Sequence, residues 1–223
     1  MDFKIYPVQL GIGSCYLLQK EKCIMIDAGS PNTMAKFTEA TARLGILPQD
    51  IQLILITHGH WDHVGIAKEV KGMTGAPILL HKDEKNWLEK GLKPIPPGIS
   101  LWGKTMAILM KMSLPMIPVC PAPVDIVMEE EFDLSRYGIP GKIFHTPGHS
   151  PGSVSLLMES GEAFVGDLAM NMVPLCFSPR LPIFGDDLDQ IKRSWRKLIA
   201  QGARIIYPAH GKAFDVEIIK RYL

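Results

Sequence analysis

Five of the seven histidines, His58, His60, His63, His149 and His210, stand at or beside the ends of apolar runs, in turns that carry glycine or proline. The densest group is His58-Gly59-His60-Trp61-Asp62-His63. A borderline-soft divalent ion binds imidazole nitrogen and carboxylate oxygen, and a catalytic site must leave a position for water. Side chains two apart in an extended segment point the same way, so His58 and His60 can face one ion. Where the chain turns into a helix, Asp62 and His63 can face a second. An isolated histidine is usually a surface or hydrogen-bonded core residue, but that reading does not account for this concentration. A closed structural zinc site would usually draw on cysteine thiolates. Cys15, Cys23, Cys120 and Cys176 form no CxxC pair and read as reduced thiols of a cytosolic protein.

The elements that must hold these residues alternate between strand and helix. Ile5 to Leu10, Cys15 to Gln19 and Lys22 to Ile26 are β-rich, and Asp27-Ala28-Gly29 closes the third run. Ser30 as cap and Pro31 at the first position predict a helix whose face carries Met34, Phe37, Thr41 and Leu44, stopped by Gly45. Ile51 to Ile56 is a strand covered on both faces, running straight into His58. A helix is expected through Val70, ending near Gly72 or Gly75, then a strand from Pro77 to Leu80 and a polar helix from Asp83 to Lys90. Further strands are expected at Lys142 to Thr146, Ser153 to Met158, Ala163 to Val165 and Arg204 to Tyr207. Asp186-Asp187 should cap a helix with the stripe Leu188, Ile191, Trp195 and Leu198. Phe214, Ile218 and Tyr222 predict a last short helix.

Between Gly91 and Glu131 the pattern is interrupted by prolines around a methionine-rich amphipathic stretch, Leu101 to Leu114. This segment, about 91–131, reads as an insertion, a lid or a dimer-forming arm within one domain over 1–223. Its Met106, Met110, Met112 and Met116 are adaptable apolar side chains. They can line an acyl pocket, form a homodimer contact, or fill a core, and the sequence leaves all three open.

The His58-x-His60-x-Asp62-His63 motif resembles the metal-binding signature of the metallo-β-lactamase-fold hydrolases, and later motifs follow in the family's order. Thr146-Pro147-Gly148-His149-Ser150-Pro151-Gly152-Ser153 resembles the segment with the third histidine, Gly166-Asp167 the turn with the bridging aspartate, and Pro208-Ala209-His210-Gly211 the last histidine loop. The resemblance covers nearly the whole layout except 91–131. It implies an α/β fold, a four-layer αβ/βα sandwich of two mixed β-sheets flanked by helices, with the site along one edge. It further implies that His58, His60 and His149 hold one metal, Asp62, His63 and His210 a second, and that Asp167 bridges them. Asp27 in the early acidic turn is assigned to supporting a ligand. The pattern is closest to the glyoxalase II and lactonase-like branch. Typical glyoxalase II enzymes append a helical domain, whereas thirteen residues follow His210 here, which sets glutathione thioesters behind smaller thioesters.

The donor set makes chemical sense in itself. Two divalent ions carry four positive charges, and Asp62, Asp167 and a bridging hydroxide remove three, leaving the site electrophilic. Metal coordination lowers the pKa of water towards ~7. The expected activity is therefore hydrolysis of a lactone, ester or small thioester by a metal-bridging hydroxide, with Asp62 both ligating and orienting it. Zinc is the expected ion, with iron or manganese as alternatives. The competing activities are phosphodiester hydrolysis and an iron-dependent redox reaction.

Lysine and arginine total 24 against 23 acidic residues, a formal charge of +1. That balance gives no long-range reason to expect nucleic acid or an anionic membrane. The start Met1-Asp2-Phe3-Lys4 does not read as a secretory signal, and Leu101 to Val119 is too interrupted for a membrane span. A cytoplasmic protein acting on a small molecule is expected. His81 and His145 lie outside the ligand motifs and read as surface or loop residues. Trp61 is read as a pocket wall or simple aromatic packing, and Tyr207 as strand packing.

Overall fold

The structure, a computed structural model, describes residues 3–172 and 181–223. Cys176 lies outside the described residues. Two six-stranded sheets face each other. The first follows sequence order: β1 (Lys4–Gln9), β2 (Ser14–Gln19), β3 (Cys23–Ile26), β4 (Ile51–Leu55), β5 (Ile78–His81) and β6 (Ile126–Met128). Its first three strands are antiparallel, and β3 to β6 run parallel. The second contains β7 (Glu131–Asp133), β8 (Gly141–His145), β9 (Val154–Met158), β10 (Glu162–Gly166), β11 (Ile205–Pro208) and β12 (Phe214–Asp215). There β10 and β11 pair in parallel, and the other named strands pair antiparallel.

The near-continuous apolar runs of β3 and β4 follow from burial on both faces. Ile24, Ile26, Leu53 and Leu55 point between the sheets, where they meet Ile143, Leu156 and Phe164. Met25 and Ile54 point outward beneath a helical layer that supplies Phe37 and Val70. Beyond the second sheet, Ile191, Trp195 and Leu198 close the other side. The layers are therefore helix, sheet, sheet, helix, the four-layer αβ/βα sandwich of two mixed sheets. Tyr207 does pack from its strand, stacked on Phe164 with ring centroids 4.8 Å apart.

The helices are α1 (Met34–Leu44), α2 (Trp61–Val64), α3 (Ala67–Thr74), α4 (Lys85–Lys90), α5 (Leu101–Ser113), α6 (Leu188–Ala200) and α7 (Glu217–Lys220). Asp187 caps α6, its side chain accepting from Gln190 N–H. Other boundaries differ from expectation for identifiable reasons. Helix α1 starts after Thr33 rather than after Ser30. Ser30 instead turns its hydroxyl to Ile12 N–H, its carbonyl accepts from the Thr33 hydroxyl, and Asn32 takes a left-handed φ of 63°. The single helix expected through Val70 is two pieces, because Gly65 N–H donates to Gly29 O at 2.7 Å instead of within a helix. Phe214 lies in β12, not in the last helix. Within 91–131, residues Ile126–Met128 form the edge strand of the first sheet.

The methionines of α5 and of the turn that follows it divide into two sets. Met106 and Met110 pack against Ala107, Ile183 and Phe184, whereas Met112 and Met116 are exposed. Among the described residues no helix is long and apolar enough to cross a membrane.

Candidate metal centre

Each chemically active side chain sits just past a strand end. β3 delivers Asp27, β4 delivers His58, β10 delivers Asp167 and β11 delivers His210, while His149 lies in the loop leaving β8. The extended backbone carries through His60, and α2 then turns Asp62 and His63 inward. All seven candidate ligands are buried.

Potential donor atoms converge in overlapping groups, each within 4.8 Å: His58, His60 and His149; His58, His63 and Asp167; and Asp62, His63 and His210. Asp167 stands between the triads. Its Oδ1 is 3.3 Å from both His63 Nε2 and His210 Nε2, and its Oδ2 is 3.7 Å from His149 Nε2. His210 Nε2 is also 3.3 Å from Asp62 Oδ2.

The outer nitrogens are already engaged. His63 Nδ1 lies 2.9 Å from Asp27 Oδ2, His149 Nδ1 lies 3.0 Å from Phe184 O, His210 Nδ1 lies 3.2 Å from Ile12 O, and His58 Nδ1 lies 3.2 Å from Thr57 Oγ1. A hydrogen bond at one ring nitrogen fixes the tautomer and leaves the other as a lone-pair donor. Four histidines therefore present Nε2. His60 presents Nδ1 instead, 3.1 Å from His149 Nε2.

Asp27 adopts a left-handed φ of 60°, uncommon for a residue with a Cβ. There its carboxylate accepts from Thr57 N–H at 2.7 Å and from the Thr57 hydroxyl, besides holding His63.

Electrostatics separate the two halves. Burial, with mutual repulsion among the imidazoles, pushes His58 well below the ordinary histidine value and His60 down to about 3. Burial also lowers His149, against the pull of Asp167. These three favour the neutral form that donates a lone pair. Burial opposes charge on His63 and His210 too, but the surrounding carboxylates more than reverse it, raising His63 and bringing His210 up to about 10. Asp62 and Asp167 are held below the usual carboxylate range by those histidines despite burial.

The residues fit divalent ions by a direct criterion. His58 Nε2, His63 Nε2 and Asp167 Oδ1 are buried with no hydrogen bond, although buried polar atoms are normally satisfied. These three atoms belong to one of the convergent groups. The donor set, imidazole nitrogen with carboxylate oxygen, suits zinc, iron and manganese.

Some neighbours escaped the sequence reading. Trp87, from the polar-looking α4, stacks on His60 at 5.9 Å with rings 11° from parallel. Phe184 and Ile12 contribute only backbone carbonyls, which no residue type announces. His81 is not a surface residue: it is buried and stacks on His145 at 4.0 Å and 14°. With Asp83 the pair is close enough to resemble a ligand group, but nearly parallel imidazole planes do not aim their in-plane lone pairs at one point. Trp61 is half-buried beside the ligands.

Comparison with known proteins identifies the family. The model of the metallo-beta-lactamase superfamily matches residues 8–210. A probable metallo-hydrolase of Bacillus subtilis, YqgX, is 31% identical over 163 residues, covering 73% of this chain and 67% of its own. A probable metallo-hydrolase of Methanocaldococcus jannaschii, MJ0888, is 30% identical over 204 residues, covering 90% and 88%. Among solved structures, the BLEG-1 B3 metallo-beta-lactamase superposes with a TM-score of 0.73 over 98% of this chain and 97% of its own, at 23% identity. At that identity the likeness shows the fold alone.

Proposed function

Because the chain belongs to the metallo-beta-lactamase superfamily, we propose that it is a dinuclear metal-dependent hydrolase of a lactone, ester or small thioester. The observation that carries this reading is the convergence of His58, His60, Asp62, His63, His149, Asp167 and His210 around buried donor atoms that lack hydrogen bonds.

In this reading His58, His60 and His149 would hold one ion, Asp62, His63 and His210 would hold the other, and Asp167 would serve both. Bound divalent ions, zinc first, supply Lewis acidity and bring the pKa of water towards ~7. The protein's own contribution is orientation. Asp27 and the Phe184 and Ile12 carbonyls fix the outer edges of His63, His149 and His210, so the ring planes are set before substrate arrives. Trp87 covers one face of His60 and keeps water from it. Asp62, whose side chain is 11% exposed, would accept a hydrogen bond from the water and so orient it.

The whole chain acts as one such domain, with 91–131 as its arm. Leu101, Ile108, Met112 and Met116 are exposed on that arm, and clustered exposed apolar side chains mark association surfaces. This supports a homodimer, which light scattering on the purified protein tests.

The activity is tested by assaying metal-loaded protein against lactones, aryl esters, small thioesters and phosphodiesters. Turnover in the first three classes is expected. Turnover concentrated in phosphodiesters overturns the assignment. Metal analysis with an absorption spectrum after aerobic purification distinguishes colourless zinc protein from iron protein, which would reopen a redox role.

A further inference from the structure

Glu84 precedes α4 and is fully buried. Its carboxylate joins two loops far apart in sequence. Oε2 accepts from Gly59 N–H, between His58 and His60. Oε1 accepts from the Ser150 hydroxyl at 2.5 Å and from Gly152 N–H at 2.8 Å, immediately beyond His149. Ser150 is held in turn by Ser153, with hydroxyl oxygens 2.6 Å apart. Among the described residues no Lys, Arg or His forms an ion pair with Glu84. Burial pushes its carboxyl above the usual range, while the three hydrogen bonds pull it back.

We propose that Glu84 is a positioning residue that clamps the His58–His60 loop to the His149 loop and so sets the affinity of the first metal position, leaving the Asp62–His63–His210 position unaffected. The inference rests on the dinuclear reading above.

Three observations beyond the hydrogen bonds point the same way. The clamped loops carry all three ligands of the first position and none of Asp62, His63 or His210. The glycines are fitted to the carboxylate: a Cβ at Gly152 would stand 2.8 Å from Glu84 Cγ, and one at Gly59 would stand 3.2 Å from Glu84 Oε2. Glycine at both places lets the loop backbones close on Glu84. Finally, Trp87 follows Glu84 within the same turn and stacks on His60, so the start of α4 holds that loop by two contacts.

The chemistry demands a carboxylate rather than an amide of the same shape. Both oxygens face donors: two N–H groups and one hydroxyl. A carboxylate accepts from all three. In either orientation, the glutamine amide NH2 would oppose a backbone N–H, Gly59 in one and Gly152 in the other. Glu84→Gln therefore preserves volume while breaking the clamp.

The test is titration of metal-free protein with Co2+, followed by calorimetry and by visible absorption. Wild type should take up two equivalents, and the step missing from His149→Ala identifies the first position. In Glu84→Gln that step should weaken by about 10–100-fold, the range for groups that orient metal ligands, while the other step is unchanged. Ser150→Ala removes one bond from the clamp and should shift the same step by a smaller factor. Equal weakening of both steps, or no change in either, overturns the proposal. Should Glu84→Gln fail to fold, an unshifted first step in Ser150→Ala overturns it. Failure of wild type to bind two equivalents instead sinks the dinuclear reading itself.

Discussion

Asp27 Oδ2 lies 2.9 Å from His63 Nδ1, and the same carboxylate accepts from both the backbone N–H and the hydroxyl of Thr57, next to His58. One side chain thus ties the two ends of the segment that carries His58, His60, Asp62 and His63. Asp27→Asn leaves the shape intact but removes the charge and presents a donor or an acceptor to His63 according to its amide orientation. The second metal position should weaken by about 10–100-fold with little change in fold, read by Co2+ titration alongside circular dichroism. Unchanged affinity at both positions would remove Asp27 from the centre's support.

Asp167 is placed to serve both halves, with one oxygen 3.3 Å from His63 and His210 and the other 3.7 Å from His149. Asp167→Ala should lose metal content and hydrolytic activity together. Metal analysis by mass spectrometry on the gel-filtered variant checks this. A variant that keeps two ions and full turnover refutes the bridging role.

The strand-end positions of the histidines and aspartates are legible in sequence because dense polar residues directly after apolar runs have few structural explanations. The two sheets are legible for a related reason: burial on both faces makes Ile51 to Leu55 nearly all apolar, and α6 announces itself through Asp187 and its stripe. What escapes is whatever depends on partners distant in the chain. Glu84 and Trp87 lie in a polar segment that reads as solvated, and only the approach of the Gly59 and Ser150 loops gives them a task. Ser30-Pro31 carries a sound helix-start signal, but a tertiary bond from Ile12 and a local one from Thr33 use Ser30 otherwise. His81 has no neighbouring motif, and its burial comes from stacking on His145 across the sandwich.

Metal-free and metal-loaded protein should respond oppositely to pH. Burial disfavours charge on His210, yet Asp167 and Asp62 raise it to about 10, and His63 is raised in the same way. Stability from these ion pairs is complete below the free histidine value of ~6.5 and is lost as pH rises through the folded value. Melting temperature without metal should therefore fall between roughly pH 6.5 and 10. Metal binding requires neutral imidazole, so it strengthens throughout that range as the protons on His63 and His210 become easier to displace. The melting-temperature difference between loaded and metal-free protein should widen accordingly. A metal-free melting temperature that stays flat across the window contradicts the ion-pair account.

Thiol reactivity should separate the cysteines by burial. Burial, reinforced by Asp27, raises the Cys15 thiol well above its ordinary value, and burial pushes Cys23 up to about 12. Neither offers thiolate near neutrality, and thiolate is the reactive form. Cys120 is exposed. Native alkylation followed by peptide mapping should modify Cys120 first and reach Cys15 and Cys23 only after denaturant is added. Rapid native labelling of Cys23 would contradict its burial.

Gly65 joins α2 to α3 at a close crossing of backbones. Its N–H donates to Gly29 O at 2.7 Å, and a Cβ there would run into the backbone of Ser30 and Pro31. Adjacent bonds from Ala28 N–H to His63 O and from Ile66 N–H to Ala28 O link this crossing to the Asp27–His63 pair. Gly65→Ala must therefore separate the segments, with an overpacking cost of about 1–3 kcal/mol or more. Gly72 is the control: it lies inside α3, and a Cβ there meets nothing within 4 Å. Gly72→Ala should stabilise by up to ~1 kcal/mol through helix propensity. At ~2–4 °C per kcal/mol for a chain of this size, the two variants should move the melting temperature in opposite directions. Only Gly65→Ala should also weaken metal binding at the His63 position, since it alone displaces the backbone that holds Asp27 against His63.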